Sequence, residues 1–287
     1  MCGRFVSSSP PDQIAQYFDV DAAPEQLLER GQNFNTAPTA SVFVVYTDGG
    51  TRTLDAFRWG LVPSWAKDMK IGARMINARA ETVATKPAFR SAFAKRRCII
   101  PADGFYEWTT QPGEKKKQPY FIHRPDGEPY AFAGLWEAWK GPKPAKPKKG
   151  EEPATGVSPA DTGADAAEAG DVPTAPAGGD SGKYGLPDPS PVDPLRTCTI
   201  ITTTANTPMS ELHDRMPVML PRSAWDEWLD PEDHDTETLG RLLVPAPPEL
   251  ITFHAVSTEV NSARNRGEHL IDEVDPDQSA SPGADGE

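Results

Sequence analysis

The sequence has little that would let composition alone declare a function. It holds only three cysteines, Cys2, Cys98 and Cys198. They are too few and too scattered for a disulfide framework, and no Cys-x-x-Cys or close Cys/His pairing offers a zinc site. Reduced thiols, no metal and no cofactor are the expectation. No apolar run reaches the roughly 20 residues that span a bilayer, and no basic lead into an apolar stretch marks a secretion signal. These absences point to a cytoplasmic protein with no membrane partner. There is no internal repeat and no oligomerisation motif, so a monomer is expected.

Bases are outnumbered, 29 Lys and Arg against 42 Asp and Glu, for a net charge of −13. The excess is localised. Residues 141–194 hold nine acids against five bases, and residues 271–287 hold six acids and no base; without these two segments the net charge is −3. Within the remainder, Arg52 to Arg124 carries fifteen bases against six acids, interleaved with Trp59, Trp65 and Trp108. Basic residues mixed with aromatics suit a nucleic-acid groove, although a charge run is more often a solvated face.

The same two acidic segments are rich in Pro, Ala, Gly and Asp and nearly empty of branched or aromatic apolar residues. They read as a disordered insertion at 141–194 and a disordered tail at 271–287. One domain, 1–270, is interrupted by that insertion. Strands are expected at Ser41–Tyr46, Thr53–Trp59, Arg97–Ile100, Pro119–His123, Tyr130–Trp136, Thr197–Thr204 and Phe253–Val256. Short helices are expected at Pro10–Phe18, introduced by a serine run, at Ala88–Lys95 and at Arg222–Leu229. Strands dominate without regular strand-helix alternation. The fold class is therefore α+β, a barrel-like, mainly antiparallel sheet with a few short flanking helices.

The most informative position is Cys2. Methionine aminopeptidase trims Met before small residues, which would leave a cysteine with a free α-amine. The amine titrates near ~8 and a free thiol near ~8.5, so both are partly nucleophilic at cellular pH without tuning. An aldehyde meeting this pair forms an imine with the amine, and the sulfur then closes a five-membered thiazolidine.

Cys2 stands in Met1-Cys-Gly-Arg-Phe5, followed by Asn35-Thr-Ala-Pro38, Trp59-Gly-Leu-Val-Pro-Ser-Trp65, Ile76-Asn-Ala-Arg-Ala-Glu81, Pro101-Ala-Asp-Gly-Phe-Tyr-Glu-Trp108 and His213-Asp-Arg-Met-Pro217. In this order and at these intervals the strings resemble the SOS response-associated peptidase family, over roughly Cys2 to Leu270 with the insertion and tail excluded. The resemblance implies an abasic-site sensor and processor acting on single-stranded DNA, including single-strand to double-strand junctions, and nucleoid-associated when bound. It implies a covalent thiazolidine between Cys2 and the opened abasic deoxyribose, with Asn77 holding the terminal amine, Glu107 relaying protons and His213 acting on the sugar. Each role suits its chemistry: a histidine can assist opening of a hemiacetal, and a carboxyl buried between Tyr106 and Trp108 can give and take a proton. Arg4, Arg79 and Arg215 each follow a proposed reactive residue by two positions and are candidates to clamp phosphates. Trp65 and Pro38 are candidates to stack on or wedge between bases. Trp59, Phe105 and Trp108 read as core, and Cys98 and Cys198 as buried thiols.

Three other readings stay open on the residues alone. An N-terminal-nucleophile glutaminase also begins Met-Cys-Gly, but such domains usually continue with Ile at the fourth position and are fused to a synthetase. A thiol peptidase, perhaps acting on itself, would use Cys2, His213 and Glu107. A non-catalytic single-strand binder would need only the basic stretch and the aromatics.

Overall fold

The computed structural model describes residues 2–110, 113, 116–142 and 194–275. The expected insertion and the far tail lie outside the described residues, apart from 141–142 and 194 at the insertion's ends and 271–275 of the tail. In chain order the elements are β1 (Phe5–Ser7), α1 (Pro11–Tyr17), α2 (Glu25–Leu28), β2 (Asn33–Thr36), β3 (Ser41–Asp48), β4 (Thr51–Trp59), β5 (Asn77–Arg79) and α3 (Arg90–Lys95). There follow β6 (Arg97–Ala102), β7 (Gly104–Thr110), β8 (Lys117–His123), β9 (Tyr130–Trp139) and β10 (Leu195–Thr204). The last elements are α4 (Thr207–Ser210), β11 (Arg215–Pro217), α5 (Trp225–Leu229), α6 (Thr236–Arg241) and β12 (Thr252–Ala255), with 3-10 turns between them.

Five strands close on themselves. β3 pairs with β4, β4 with β10, β10 with β9, β9 with β6, and β6 again with β3. Only the β4–β10 contact in this ring is parallel. The fold is thus α+β, a single mainly antiparallel barrel. β5 and β11 attach to the C-terminal half of β10, β5 in parallel and β11 antiparallel. A second sheet has the order β12-β8-β7-β1-β2.

The barrel strands are buried on both faces, which is why they read as near-continuous apolar runs. Alternation along β3 still sorts them: Val42, Val44 and Tyr46 pack with Phe5, Phe105 and Ile122 of the second sheet and with Cys2, which precedes it. Phe43 and Val45 face the opposite way, into a cluster with Phe18, Phe93, Trp225 and Trp228 from the helical side. Trp59 and Phe105 are fully buried. Trp108 is only half-buried, because its indole N–H reaches out to Asn261 Oδ1 at 2.7 Å.

The helical side hangs on one cation. Arg97 is 4% exposed and donates to five carbonyls, those of Phe93, Ala94, Trp228, Asp230 and Asp233. It thereby satisfies the C-terminal ends of α3 and α5, whose last carbonyls have no partner within their own helices. α1 begins at Pro11 without any serine cap, since Ser8 and Ser9 turn instead to the carboxylate of Asp103. Past residue 270 the chain is still paired, Val274 donating to the Ala255 carbonyl at 2.9 Å.

Candidate functional site

β1 and β7 run antiparallel with Phe5 opposite Phe105 and Val6 opposite Gly104. The Tyr106 amide donates to the Arg4 carbonyl, continuing this register toward the N-terminus. Gly3 therefore falls opposite Glu107, and Cys2 lies near that carboxyl. Gly104 makes the crossing possible, because a Cβ there would sit 2.3 Å from the Phe121 ring.

Cys2 is fully buried, packed in the cluster that holds Trp59, Met209, Leu212 and Met216. Burial drives its thiol well above the free value, and the nearby Glu107 carboxylate pushes in the same direction. Both influences favour the protonated sulfur over the thiolate, relative to a free cysteine. The thiol sits 4.0 Å from the Arg4 carbonyl, its hydrogen-bond acceptor.

Asn77 opens β5, where Ile200 of β10 lies opposite it. The segment is pinned just upstream, as the Ile76 carbonyl accepts from both the Trp59 indole and the Ile200 amide. Asn77 Nδ2 donates to the Cys2 carbonyl at 2.8 Å. The side chain thus grips Cys2 through its carbonyl, while Asn77 Oδ1 is buried with no hydrogen-bond partner among the described residues. Glu107 is 4% exposed on β7.

His213 follows α4, whose first turn is capped by Asn206 Oδ1 accepting from the Met209 amide. The turn is closed by the His213 amide on the Met209 carbonyl. Two groups contend for the His213 Nδ1. The Arg215 backbone amide donates to it at 2.9 Å, and Asp214 Oδ1 lies 2.8 Å away. One nitrogen cannot both accept from the amide and donate to the carboxylate. The amide contact needs Nδ1 without a proton, and the Asp214 contact needs the proton on Nδ1.

The candidate DNA contacts separate into two groups. Trp65 is 53% exposed, on a loop that leaves the barrel at Gly60. Gly60 has φ +124°, and a Cβ there would lie 2.5 Å from the Gly72 carbonyl oxygen. The same loop and its continuation carry exposed Lys67, Lys70, Arg74 and Arg79. Pro38 is half-buried, followed by Thr39 in the left-handed region at φ 72°. Arg4 and Arg215, by contrast, are engaged internally. Arg4 Nη1 donates to Asn35 Oδ1 at 2.8 Å and to the Val260 carbonyl at 3.0 Å, with the guanidinium over Trp108. Arg215 forms a two-point ion pair with Glu81. Others of the basic stretch are also spent internally: Arg52 on Asp226, Arg96 on Glu137 and Arg124 on Asp126.

Two residues at this site went unassigned in the sequence, although each stands in one of the quoted strings. Asn35, 1% exposed, donates through Nδ2 to the carbonyls of Val260, Ser262 and Asn265. Glu81 is the partner of Arg215. Among the described residues no group of three or more His, Cys, Asp or Glu is placed to hold a metal ion, and no helix is long and apolar enough to cross a membrane.

Fold and site define a small-barrel protein with a buried cysteine at position 2. The chain belongs to the SOS response associated peptidase (SRAP) family, whose model matches residues 1–263. It is 37% identical to the Abasic site processing protein YoqW of Bacillus subtilis (strain 168), over 95% of this chain and 99% of that one. It is 34% identical to the Abasic site processing protein HMCES of Gallus gallus, over 92% of this chain and 75% of the relative. In fold it resembles a crystal structure of a Bacteroides thetaiotaomicron protein, with a TM-score of 0.69 at 19% identity, covering 95% of this chain and all of the other.

Proposed function

We propose that the protein processes abasic sites in single-stranded DNA, including those at junctions with duplex, by capturing the opened sugar as a thiazolidine on Cys2 after Met1 is removed. The observation that carries this reading is the setting of Cys2: gripped by Asn77, beside Glu107, in a family whose relatives are named for abasic sites.

The chemistry balances with one water released. The Cys2 amine adds to the C1′ aldehyde to give a carbinolamine, which loses water to an imine; the S–H then adds across the C=N bond, sulfur to carbon and proton to nitrogen. Glu107 gives a proton to the departing hydroxyl and takes one back from the nitrogen. The buried Asn77 Oδ1 has the polarity to accept from the α-amine. His213 assists opening of the hemiacetal, and the exposed Arg79, Trp65 and Pro38 hold flanking nucleotides.

A thiol held protonated by burial and by a neighbouring carboxylate favours amine-first addition. It works against the thiolate-led attack that a peptidase or glutaminase needs. The test is incubation with a single-stranded oligonucleotide containing one abasic site, followed by denaturing electrophoresis. A shifted band that survives denaturation and disappears in Cys2→Ala is expected; full release of the DNA from the native protein refutes the proposal.

A further inference from the structure

Where β3 begins and β4 ends, two arginines carry charge that no acid of the fold answers. Ser41 opens β3 and lies opposite Arg58 of β4. Arg30, which follows α2, reaches the same serine: its Nη1 donates to Ser41 Oγ at 3.1 Å and its Nη2 to the Ser41 carbonyl at 2.7 Å, with the guanidinium over the Phe43 ring. Arg58 Nη1 donates to the Thr39 carbonyl at 3.0 Å. Both arginines are half-buried, and burial pulls both below the ordinary guanidinium value with no carboxylate acting in the opposite direction. Among the described residues neither makes an ion pair, although Asp12 lines a cleft with Arg30. By contrast Arg52, Arg96, Arg124, Arg196 and Arg215 each meet a carboxylate. In a chain of net charge −13, two partly desolvated cations without an acid are destabilising, and an anion from outside would offset that.

We propose that Arg30, Ser41 and Arg58 form an anion site that takes one backbone phosphate of the bound strand, beside the Pro38 turn. The identity of the ligand rests on the function given above. The donor set selects a tetrahedral oxyanion. Most N–H groups of the two guanidiniums stay uncommitted, since the contacts above use two at Arg30 and one at Arg58. The Ser41 hydroxyl accepts from Arg30, which leaves its proton to donate. Guanidiniums bind such oxyanions through paired, charge-assisted hydrogen bonds. Position then favours a strand as the source of the phosphate. Arg58 holds the carbonyl next to Pro38, in a turn closed by the Ala40 amide on the Ala37 carbonyl, with Thr39 in the left-handed region at φ 72°. A nucleotide flanking Pro38 would bring its phosphate to this edge.

The test removes phosphate charges one at a time. Single-stranded DNA carrying a tetrahydrofuran abasic analogue is made with an uncharged methylphosphonate at successive positions, and affinity is measured for the parent protein and for the variant combining Arg30→Gln and Arg58→Gln. At one position the substitution should weaken parent binding about tenfold or more, the scale of a hydrogen bond between charged groups, and leave the affinity of the variant unchanged. On the unmodified strand the variant should lower the salt slope by about 0.7, the share of one phosphate, and Arg58→Lys should retain it. If the double variant does not fold, Arg58→Gln alone carries the same comparison. The proposal is overturned if no position couples to the arginines, or if the salt slope is unchanged. It is also overturned if phosphorus NMR shows inorganic phosphate bound by the parent and not by the variant while both bind DNA alike, since the site would then serve a free phosphate. A parent protein that binds the analogue strand and forms no adduct on a natural abasic site would sink the covalent reading, and the phosphate walk would still decide this site.

Discussion

Replacing Asn35 with alanine should be the most damaging polar substitution near the site. Its amide nitrogen has two protons shared among three carbonyls at 2.9 to 3.1 Å, and its oxygen receives the Arg4 guanidinium at 2.8 Å. Not all of these partners would be stranded. The Val260 carbonyl keeps Arg4 Nη1, and the Ser262 carbonyl keeps the Asn265 amide. What is lost is one hydrogen bond to a charged group, about 1.5 to 3 kcal/mol, and the bond to the Asn265 carbonyl, about 1 kcal/mol. The expected destabilisation is roughly 2.5 to 4 kcal/mol, a large share of the ~5 to 15 kcal/mol that a domain possesses. Urea unfolding measures it, with an unchanged slope and a lower midpoint. Hydrogen exchange should show the loss concentrated at Val260–Asn265 and in β1, because Arg4 carries the strain into the strand that positions Cys2. Asn35→Asp separates the two contributions, keeping the Arg4 contact while losing both donors. A loss below about 1 kcal/mol in the alanine variant, or exchange unaltered at Val260–Asn265, would refute the view that Asn35 ties the C-terminal segment to the N-terminal strand.

Other consequences can be checked independently. Glu107→Gln relieves the charge that pushes the Cys2 thiol upward, so a mechanism led by thiolate should speed up. We expect instead that single-turnover adduct formation slows about 100-fold, the usual scale for losing a general acid-base group; a faster reaction would contradict the assigned relay. Burial raises the thiols of Cys98 and Cys198 as well as that of Cys2. A raised folded value means the fold prefers neutral thiols: their contribution is intact below the free value near ~8.5 and is lost as pH climbs above it, by up to about 1.4 kcal/mol per unit per thiol. Denaturant midpoints measured from pH 7 to 11 should fall on the alkaline side, and less steeply when Cys98 and Cys198 are both alanine. Gly104→Ala should destabilise by about 1 to 3 kcal/mol, because its methyl would meet the Phe121 ring and the Ile122 carbonyl; an unchanged melting temperature would show that β8 yields there.

The long strands were legible in the sequence because they are long. β3, β4, β6, β8, β9 and β10 overlap the expected runs, with ends shifted by a few residues, and four-residue β12 overlaps the run expected at Phe253–Val256 despite its length. The three-residue β1, β5 and β11, and the four-residue β2, span less than two alternations, so no periodicity could announce them. β5 and β11 are strands because the C-terminal half of β10 offers them unpaired edges, a tertiary fact. α2 and α4, four residues each, were invisible for the same reason of length, whereas α6 was missed although it is no shorter than the expected α3 and α5. At the site, the reactive residues were marked by their strings, but their partners were not. Nothing in Asn-Ala-Arg-Ala-Glu says that its glutamate meets an arginine 134 positions away. The sequence also suggested a basic groove from Arg52 to Arg124, whereas Arg52, Arg96, Arg97 and Arg124 are spent on internal contacts. The burial that protonates Cys2 could only be learned from the packing around it.

The central claim is that the α-amine and sulfur of Cys2 jointly capture the sugar carbonyl, and mass analysis of the adduct tests it most directly. After nuclease and protease digestion, the crosslinked peptide should begin at Cys2, lack Met1, and weigh as much as peptide plus opened sugar fragment less one water. A crosslinked peptide that retains Met1, or an adduct mapped to a lysine, would contradict the account.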